Sequence, residues 1–117
     1  MRKLFLLLAL VVSGVALGAD RVARFSGDES AEEWMNKKIS YPAAAIDEGI
    51  SGEVVVSVKI GCTGEVESVR VLKSPSDILT AEVLKIVRLM PRWFPAIKNG
   101  RAVSDSVVIP VRFNLSE

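Results

Sequence analysis

The sequence contains no histidine and a single cysteine, Cys62, among its 117 residues. Without an imidazole side chain there is no Ser-His-Asp triad, no Cys-His pair and no His-ligated metal. One cysteine also excludes an intrachain disulfide framework and a Cys-rich zinc site. We therefore expect no catalytic residues, no metal ligands and no cofactor in this chain.

The sequence also lacks an excess of either charge, with 15 basic and 14 acidic side chains. A protein that follows nucleic-acid phosphates needs a basic face, so no nucleic-acid partner is expected. Asp105 lies between two serines, but adjacent residues of a strand point to opposite faces and no base is present to activate a serine. With half of its residues hydrophobic, a chain of this length is predicted to form one non-enzymatic domain.

The first 19 residues have the pattern of an export signal. Two basic residues precede an apolar run from Leu4 to Leu17, and the small residues Gly18 and Ala19 follow. As a helix, this run would span about 21 Å, which is short against a bilayer core of about 30 Å. We predict that residues 1–19 are a cleaved signal peptide. An uncleaved N-terminal anchor is the alternative.

Residues 20–38 are predicted to be a short tether that ends in a helix. The composition is mixed and charged up to Ser30, whose hydroxyl and the Glu33 carboxylate have the spacing of a capping box. The helix would cover residues 31–38, with Trp34 as its buried anchor. Fully extended, these 19 residues would reach about 65 Å.

Residues 41–73 are predicted to form a second short helix and a β-hairpin. The helix would start at Tyr41-Pro42 and end at Gly49. Residues 53–60 alternate as a strand with four apolar side chains on one face, and a glycine-containing turn leads to a second strand, residues 65–73. A change of phase in the second strand predicts a bulge near residues 67–68.

The rest of the chain predicts a helix and a last strand. Apolar residues from Leu79 to Met90 recur at helical spacing, with Glu82, Lys85 and Arg88 on the outer side. Trp93, Phe94 and Pro95 would pack at the end of this helix. In residues 106–116 apolar side chains alternate as far as Leu115, so this face of the strand is predicted to face the core. Pro110 within the strand predicts an edge strand or a bulge.

A strand-strand-helix-strand order has few compact arrangements. A right-handed crossover makes the second and last strands parallel, and the first strand fits between them, antiparallel to both. The predicted fold is therefore α+β, a three-stranded sheet in the order 2-1-3 with helices on one face and the last strand on an open edge.

This order of features resembles the TonB C-terminal domain family, over residues 39–115. The matching features, in chain order, are Tyr41-Pro42-x-x-Ala45, Gly52-x-Val54, Gly64-x-Val66, Val69-x-Val71-Leu72-x-Ser74, Met90-Pro91-x-Trp93-x-Pro95, Asn99-Gly100 and Ile109-Pro110-Val111-x-Phe113. No single motif is specific, but seven motifs in this order and at these spacings are hard to obtain by chance. The resemblance assigns residues 39–117 to a TonB C-terminal-like domain.

The resemblance implies a periplasmic module that binds the TonB box of TonB-dependent outer-membrane receptors. In the family this extended peptide adds as a strand beside the last β-strand. The matching positions here are Ser104, Asp105, Ser106, Val107, Val108, Ile109, Pro110, Val111 and Arg112. Arg112 is a candidate partner for an acidic side chain of the peptide. The segment before Tyr-Pro, here Lys38, Ile39 and Ser40, would also touch the receptor, although the glutamines of the best-known version are missing.

Several alternatives stay open at this stage. The edge would instead be capped by the N-terminal segment or by a second copy, giving a homodimer or a TolA-like envelope adaptor without receptor binding. Inner-membrane motor proteins would be partners only of an anchored form, and the family's histidine-bearing anchor and proline-rich spacer are not matched here. Structural roles are expected for Tyr41, Pro42, Gly52, Gly64, Pro91, Trp93, Pro95 and Gly100, with a direct ligand contact as the alternative for Trp93.

Overall fold

A computed structural model describes residues 20–115 of the chain, and the predicted signal peptide lies outside them. Within this range the helices are α1 (Ala31–Lys38), α2 (Ala43–Asp47) and α3 (Asp77–Val87). The strands are β1 (Gly52–Ile60), β2 (Val66–Lys73), β3 (Ala96–Lys98), β4 (Arg101–Val103) and β5 (Asp105–Phe113). Over residues 20–115, no helix combines the length and apolar character that a bilayer crossing requires.

The main sheet has the order β2-β1-β5, and β1 is antiparallel to both of its neighbours. The last predicted strand is β5, so the predicted α+β fold and the predicted strand order are confirmed. β1 occupies the centre because its side chains at 54, 56, 58 and 60 are fully buried. A two-stranded sheet of β3 and β4, which was not predicted from the sequence, precedes β5.

The β1–β2 hairpin contains the predicted bulge. Ser68 lies opposite Lys59 and Val66 lies opposite Ile60, so Glu67 is the extra residue. A bulge leaves one residue unpaired and twists the strand locally. Val66 and Val69, on either side of the bulge, can therefore both pack against the core although they are three residues apart.

Gly64 in the hairpin turn has a φ of 90° and lies against the segment after α3. An added Cβ at this position would be 2.1 Å from the Trp93 carbonyl oxygen. The Trp93 N–H donates to the Gly64 carbonyl over 2.7 Å. Only glycine allows both this backbone conformation and this close approach.

The core lies between the sheet and the helices. Its largest fully buried side chains are Met35, Ile60, Leu79, Ile109, Val54, Val56, Val58, Val83, Val87 and Val111. Trp34 was predicted to anchor α1, but it is half-buried and its neighbour Met35 is the fully buried anchor. The prediction that Leu115 faces the core is also wrong, because Leu115 lies beyond β5 and is 39% exposed.

Helix α3 starts where the sequence places a capping residue, and the Ser76 hydroxyl accepts a hydrogen bond from the Leu79 N–H over 3.2 Å. Glu82 was predicted on the outer side but is buried. Its carboxylate accepts a hydrogen bond from the Ser40 N–H over 2.8 Å and forms an ion pair with Lys85 over 3.0 Å. These two partners compensate the burial of its charge.

The N-terminal segment, residues 20–30, is part of the folded body and not a tether. Arg21 and Arg24 form isolated antiparallel bridges with residues 97 and 94. The side chains between and after them, Ala23 and Phe25, are buried in the core. The Phe25 ring packs edge-on against Trp93 with 5.3 Å between ring centroids. The tether prediction failed because a charged composition concealed these two apolar positions.

Phe94, which was predicted to pack at the end of α3, is 48% exposed. The Arg24 guanidinium lies 4.6 Å from the centre of the Phe94 ring. This cation–π contact holds the N-terminal segment against the residues that follow α3.

Candidate functional site

Strand β5 lies at one edge of the main sheet and is paired over its whole length. Gly52 is opposite Phe113 and Ile60 is opposite Asp105, with no irregularity in between. No strand within residues 20–115 pairs with the outer side of β5. Residues 105–112 of the predicted site lie in this strand, and Ser104 lies between β4 and β5.

The hydrogen bond made by Arg112 indicates which main-chain groups of β5 face outward. Its N–H donates over 3.3 Å to the side-chain oxygen of Asn36 on α1, and so points away from β1. Main-chain groups alternate along a strand, so residues 106, 108 and 110 also face outward. Pro110 therefore occupies a position where its missing N–H removes no bond to β1, as an edge strand requires.

Few of these outward positions retain an available donor. The Ser106 N–H donates to the Asp105 carboxylate over 2.9 Å. Pro110 has no N–H, and the Arg112 N–H is bonded to Asn36. Val108 is 57% exposed. Its N–H faces away from β1 in this unbroken register, and within residues 20–115 it makes none of the turn, loop or bridge hydrogen bonds. The available part of this edge is centred on Val108.

A groove of about 430 Å³ separates the N-terminal segment from the middle of β5. One wall comes from residues 23–32 and the other from Val107, Val108 and Ile109. Trp93 also lines it, but this side chain is only 3% exposed. Within residues 20–115, its indole N–H is buried without a hydrogen-bond partner. The groove places the available Val108 N–H beside a partly apolar channel.

The N-terminal segment and α1 flank both ends of β5. At one end the Asp105 carboxylate accepts a hydrogen bond from the Ala23 N–H over 3.5 Å. At the other end α1 places Asn36 on Arg112. On α1, the hydrogen bond from Lys37 to Glu29, over 2.5 Å, raises the pKa of the Lys37 ammonium, and the opposite charge of Glu29 acts in the same direction.

The predicted receptor-contact residues continue α1 without entering the groove walls. Lys38 is exposed, with its ammonium 5.7 Å from the centre of the Trp34 ring. Ile39 is half-buried and packs against the core. Ser40 is held by the buried carboxylate of Glu82. The chain that carries these residues is therefore fixed at both ends.

Arg112, predicted to meet an acidic peptide side chain, already has an acidic neighbour. Its guanidinium lies 3.4 Å from the carboxylate of Glu53 on β1. The same carboxylate lies 3.5 Å from the Lys73 ammonium on β2. Because the Arg112 side chain is 76% exposed, this ion pair is weak and exchangeable.

The residues predicted to be structural lie in turns and at element ends. The Tyr41 hydroxyl donates to the Ile50 carbonyl, and its ring packs edge-on against Phe113 with 5.4 Å between centroids. Pro42 is the residue before α2. Gly52 starts β1 with a φ of 139°.

The turn between β3 and β4 requires left-handed backbone conformations. Asn99 has a φ of 52° and Gly100 a φ of 77°, as in a two-residue type I′ turn. Pro91 and Pro95 lie on either side of the buried Trp93, in the connection between α3 and β3. These placements are consistent with the structural roles proposed from the sequence.

The fold defines a class of protein, namely a small α+β domain whose three-stranded sheet has the order β2-β1-β5. Within residues 20–115, no three acidic or cysteine side chains come together as a metal site. Residues 37–115 match the model of the family described as the C-terminal domain of the Gram-negative bacterial TonB protein. The chain therefore belongs to the TonB C-terminal family.

Relatives agree with this family assignment. The chain is 34% identical over 84 residues to Protein TonB of Helicobacter pylori strain J99, and 32% identical to that of strain 26695. These matches cover 71% of this chain but only 29% and 28% of the relatives' length. The solution structure of the Helicobacter pylori TonB C-terminal domain matches with a TM-score of 0.52 and 28% identity, covering 74% of this chain and 90% of that one.

Proposed function

We propose that this chain is an exported, periplasmic TonB-family module that binds the TonB box of an outer-membrane receptor by strand addition to β5. The observation that carries this proposal is the outward Val108 N–H, which has no partner among residues 20–115. In this proposal residues 1–19 are the signal peptide that directs export. The module supports TonB-dependent transport by binding and not by chemistry.

The geometry favours pairing along the first two thirds of β5. An added strand lies about 4.8 Å from its neighbour and exchanges main-chain hydrogen bonds with it. The groove beside residues 107–109 provides space at this position. Towards Arg112, Asn36 occupies the donor, so a guest strand that continued this far would have to displace it.

Two cations at the Arg112 end of the edge give the peptide additional contacts in this proposal. The Arg112 guanidinium is exposed enough to exchange Glu53 for an acidic side chain of the guest. Lys38 is exposed at the end of α1, the helix that also carries Asn36. Both are cations, so an acidic residue in the guest strand would favour binding.

The test compares two variants of Val108. Val108→Pro removes the available N–H and the exposed side chain, whereas Val108→Ala removes the same side-chain contacts and keeps the N–H. Because the main-chain N–H of residue 108 faces away from β1, neither change breaks a hydrogen bond between β5 and β1. We expect Val108→Pro to weaken binding of synthetic TonB-box peptides by at least about tenfold relative to Val108→Ala, measured by calorimetry.

Circular dichroism and thermal melting would verify that both variants fold. Equal affinities for the two variants would contradict strand addition at this edge. If the unmodified protein bound no peptide from a panel of receptors and sedimented as a tight dimer, the envelope-adaptor function would replace the proposed one.

A further inference from the structure

We propose that the opposite edge of the sheet, at β2, is a second docking site, which takes an extended acidic and apolar segment of a partner protein. The site is the groove between β2 and the end of α3, and we call it the β2–α3 groove. It shares no lining residue with the groove beside β5. It is therefore separate from the proposed receptor site.

The β2 edge has main-chain groups that face outward. The main-chain N–H and C=O groups of the odd-numbered residues of β5 face β1 and bond to the even-numbered residues opposite them. The main-chain groups of the odd-numbered residues of β1 therefore bond to β2. Ser57 and Lys59 lie opposite Arg70 and Ser68. Arg70 and Ser68 therefore bond to β1. The main-chain groups of Val69 and Val71, which alternate with them, point away from the sheet. Among residues 20–115 nothing pairs with them.

The β2–α3 groove has a volume of about 670 Å³ and an apolar floor. This volume is within the usual range of ligand sites. Its apolar lining residues are Val66, Val69, Leu84, Val87, Met90 and Pro91. An edge strand on one side and a helix on the other form a channel in which an added strand can bury alternate side chains.

The charges of the groove leave one cation without a partner. Glu65 lies 2.9 Å from Arg92, and Glu67 lies 3.9 Å from Lys59. Arg92 also donates to the Thr63 carbonyl over 3.1 Å. Arg88 lines the groove and is exposed, and it forms no ion pair within residues 20–115. The groove is thus complementary to a ligand that carries a carboxylate.

Exposed apolar side chains also occur next to the groove-lining residues in the sequence. Val71 on β2 is 37% exposed, and Leu89, which follows Arg88, is 64% exposed. An extended segment with apolar residues near an acidic one matches this arrangement. A second copy of the chain fits less well, because symmetric β2 pairing would bring its own unpaired Arg88 into the contact.

The test selects ligands without assuming a partner. A phage-displayed library of random heptapeptides is selected on the immobilised protein and on its Arg88→Glu variant. We expect the unmodified protein to enrich sequences that combine apolar residues with Asp or Glu. Synthetic versions should bind Arg88→Glu about tenfold or more weakly.

Three control variants make the selection specific. Arg88→Lys keeps the charge and should retain most of the affinity. Arg70→Glu makes the same charge change at an exposed position of β2 on the other face of the sheet, and should have little effect. Val108→Pro leaves this groove intact and should bind the selected peptides normally. This control distinguishes binding at the β2–α3 groove from binding at the proposed receptor site on β5.

Chemical-shift mapping of a ¹⁵N-labelled sample gives the position of binding. Shifts confined to residues 65–71 and 84–92 would support the proposal. It would be overturned by peptides that shift residues 104–112, by equal binding to Arg88→Glu, by the absence of any enrichment, or by self-association through β2.

Discussion

The two edges of the sheet differ in how much of their main chain is already occupied. On β5, side chains of the protein itself bond to the outward donors at 106 and 112, and position 110 is a proline. On β2, the outward groups at 69 and 71 have no partner among residues 20–115. Unprotected edges invite unwanted pairing. The difference indicates that pairing of a further strand with β5 is restricted to a short interval around Val108. On β2, charged side chains are the remaining protection against unwanted pairing.

The occupied donors of β5 also bear on how it would bind a guest. A peptide that pairs near Val108 gains new hydrogen bonds, but one that extends to Arg112 only replaces the bond to Asn36. Replacing one hydrogen bond by another changes the free energy little. We therefore expect the length and the centre of the guest strand to determine its affinity.

The largest effect on stability is expected at Gly64, in the turn that leads into β2. In Gly64→Ala the new Cβ would meet the Trp93 carbonyl, at a φ of 90°. We expect a loss of about 2–4 kcal/mol in the free energy of unfolding, measured by urea denaturation.

Gly100→Ala is the matched control, because its φ of 77° is also left-handed but nothing lies within 4 Å of the added Cβ. It should lose only about 1 kcal/mol from backbone strain. Equal losses in the two variants would show that conformation alone, and not the approach of Trp93, makes Gly64 necessary.

An intermediate effect is expected when the occupied end of β5 is opened. Asn36→Ala removes the acceptor for the Arg112 N–H, which should lower stability by about 0.5–1.5 kcal/mol. The same change should strengthen binding of TonB-box peptides that are long enough to reach Arg112. Calorimetry with a short and a long peptide would measure this difference.

Lys37→Ala on the same helix is the control for Asn36→Ala, because Lys37 contacts Glu29 and not β5. It should not alter the preference for the long peptide. If Asn36→Ala failed to strengthen binding of the long peptide, the Asn36 contact would have no influence on this edge.

The smallest effect is expected at Glu53, which lies between the two edges. Its carboxylate is near Lys73 of β2 and Arg112 of β5, at 3.5 and 3.4 Å. Both cations are exposed, so Glu53→Gln should change the stability by less than about 1 kcal/mol. Thermal melting at low and high salt would measure it, and a larger loss would indicate that Glu53 couples the edges.

The elements that follow simple periodicity were predictable from the sequence. The alternating valines of β1 and the position of Pro110 led to the central strand and to the edge strand. The phase change at Glu67 indicated the bulge. Each of these signals is local, because it depends only on which neighbours along the chain can share a face.

The failures depend on contacts between distant parts of the chain. Glu82 has the spacing of a solvent-facing helix residue, and only the Ser40 N–H, 42 residues earlier, explains its burial. Phe25 is a single aromatic residue in a charged segment, and its partner Trp93 comes from the other half of the chain. The donors occupied on β5 were equally hidden, because the Asn36 contact with Arg112 spans 76 residues.

The packing of Ala23 and Phe25 determines how far the domain would stand from a membrane. Ordered pairing begins at Arg21, only two residues after the predicted export signal, so the extended length of residues 20–38 is not available. A form that kept residues 1–19 in the bilayer would hold strand β3, which Arg21 contacts, within about 10 Å of the lipid headgroups. If the protein is periplasmic as proposed, an anchored form would bind only ligands that approach the inner membrane, whereas a released form would diffuse to the outer one.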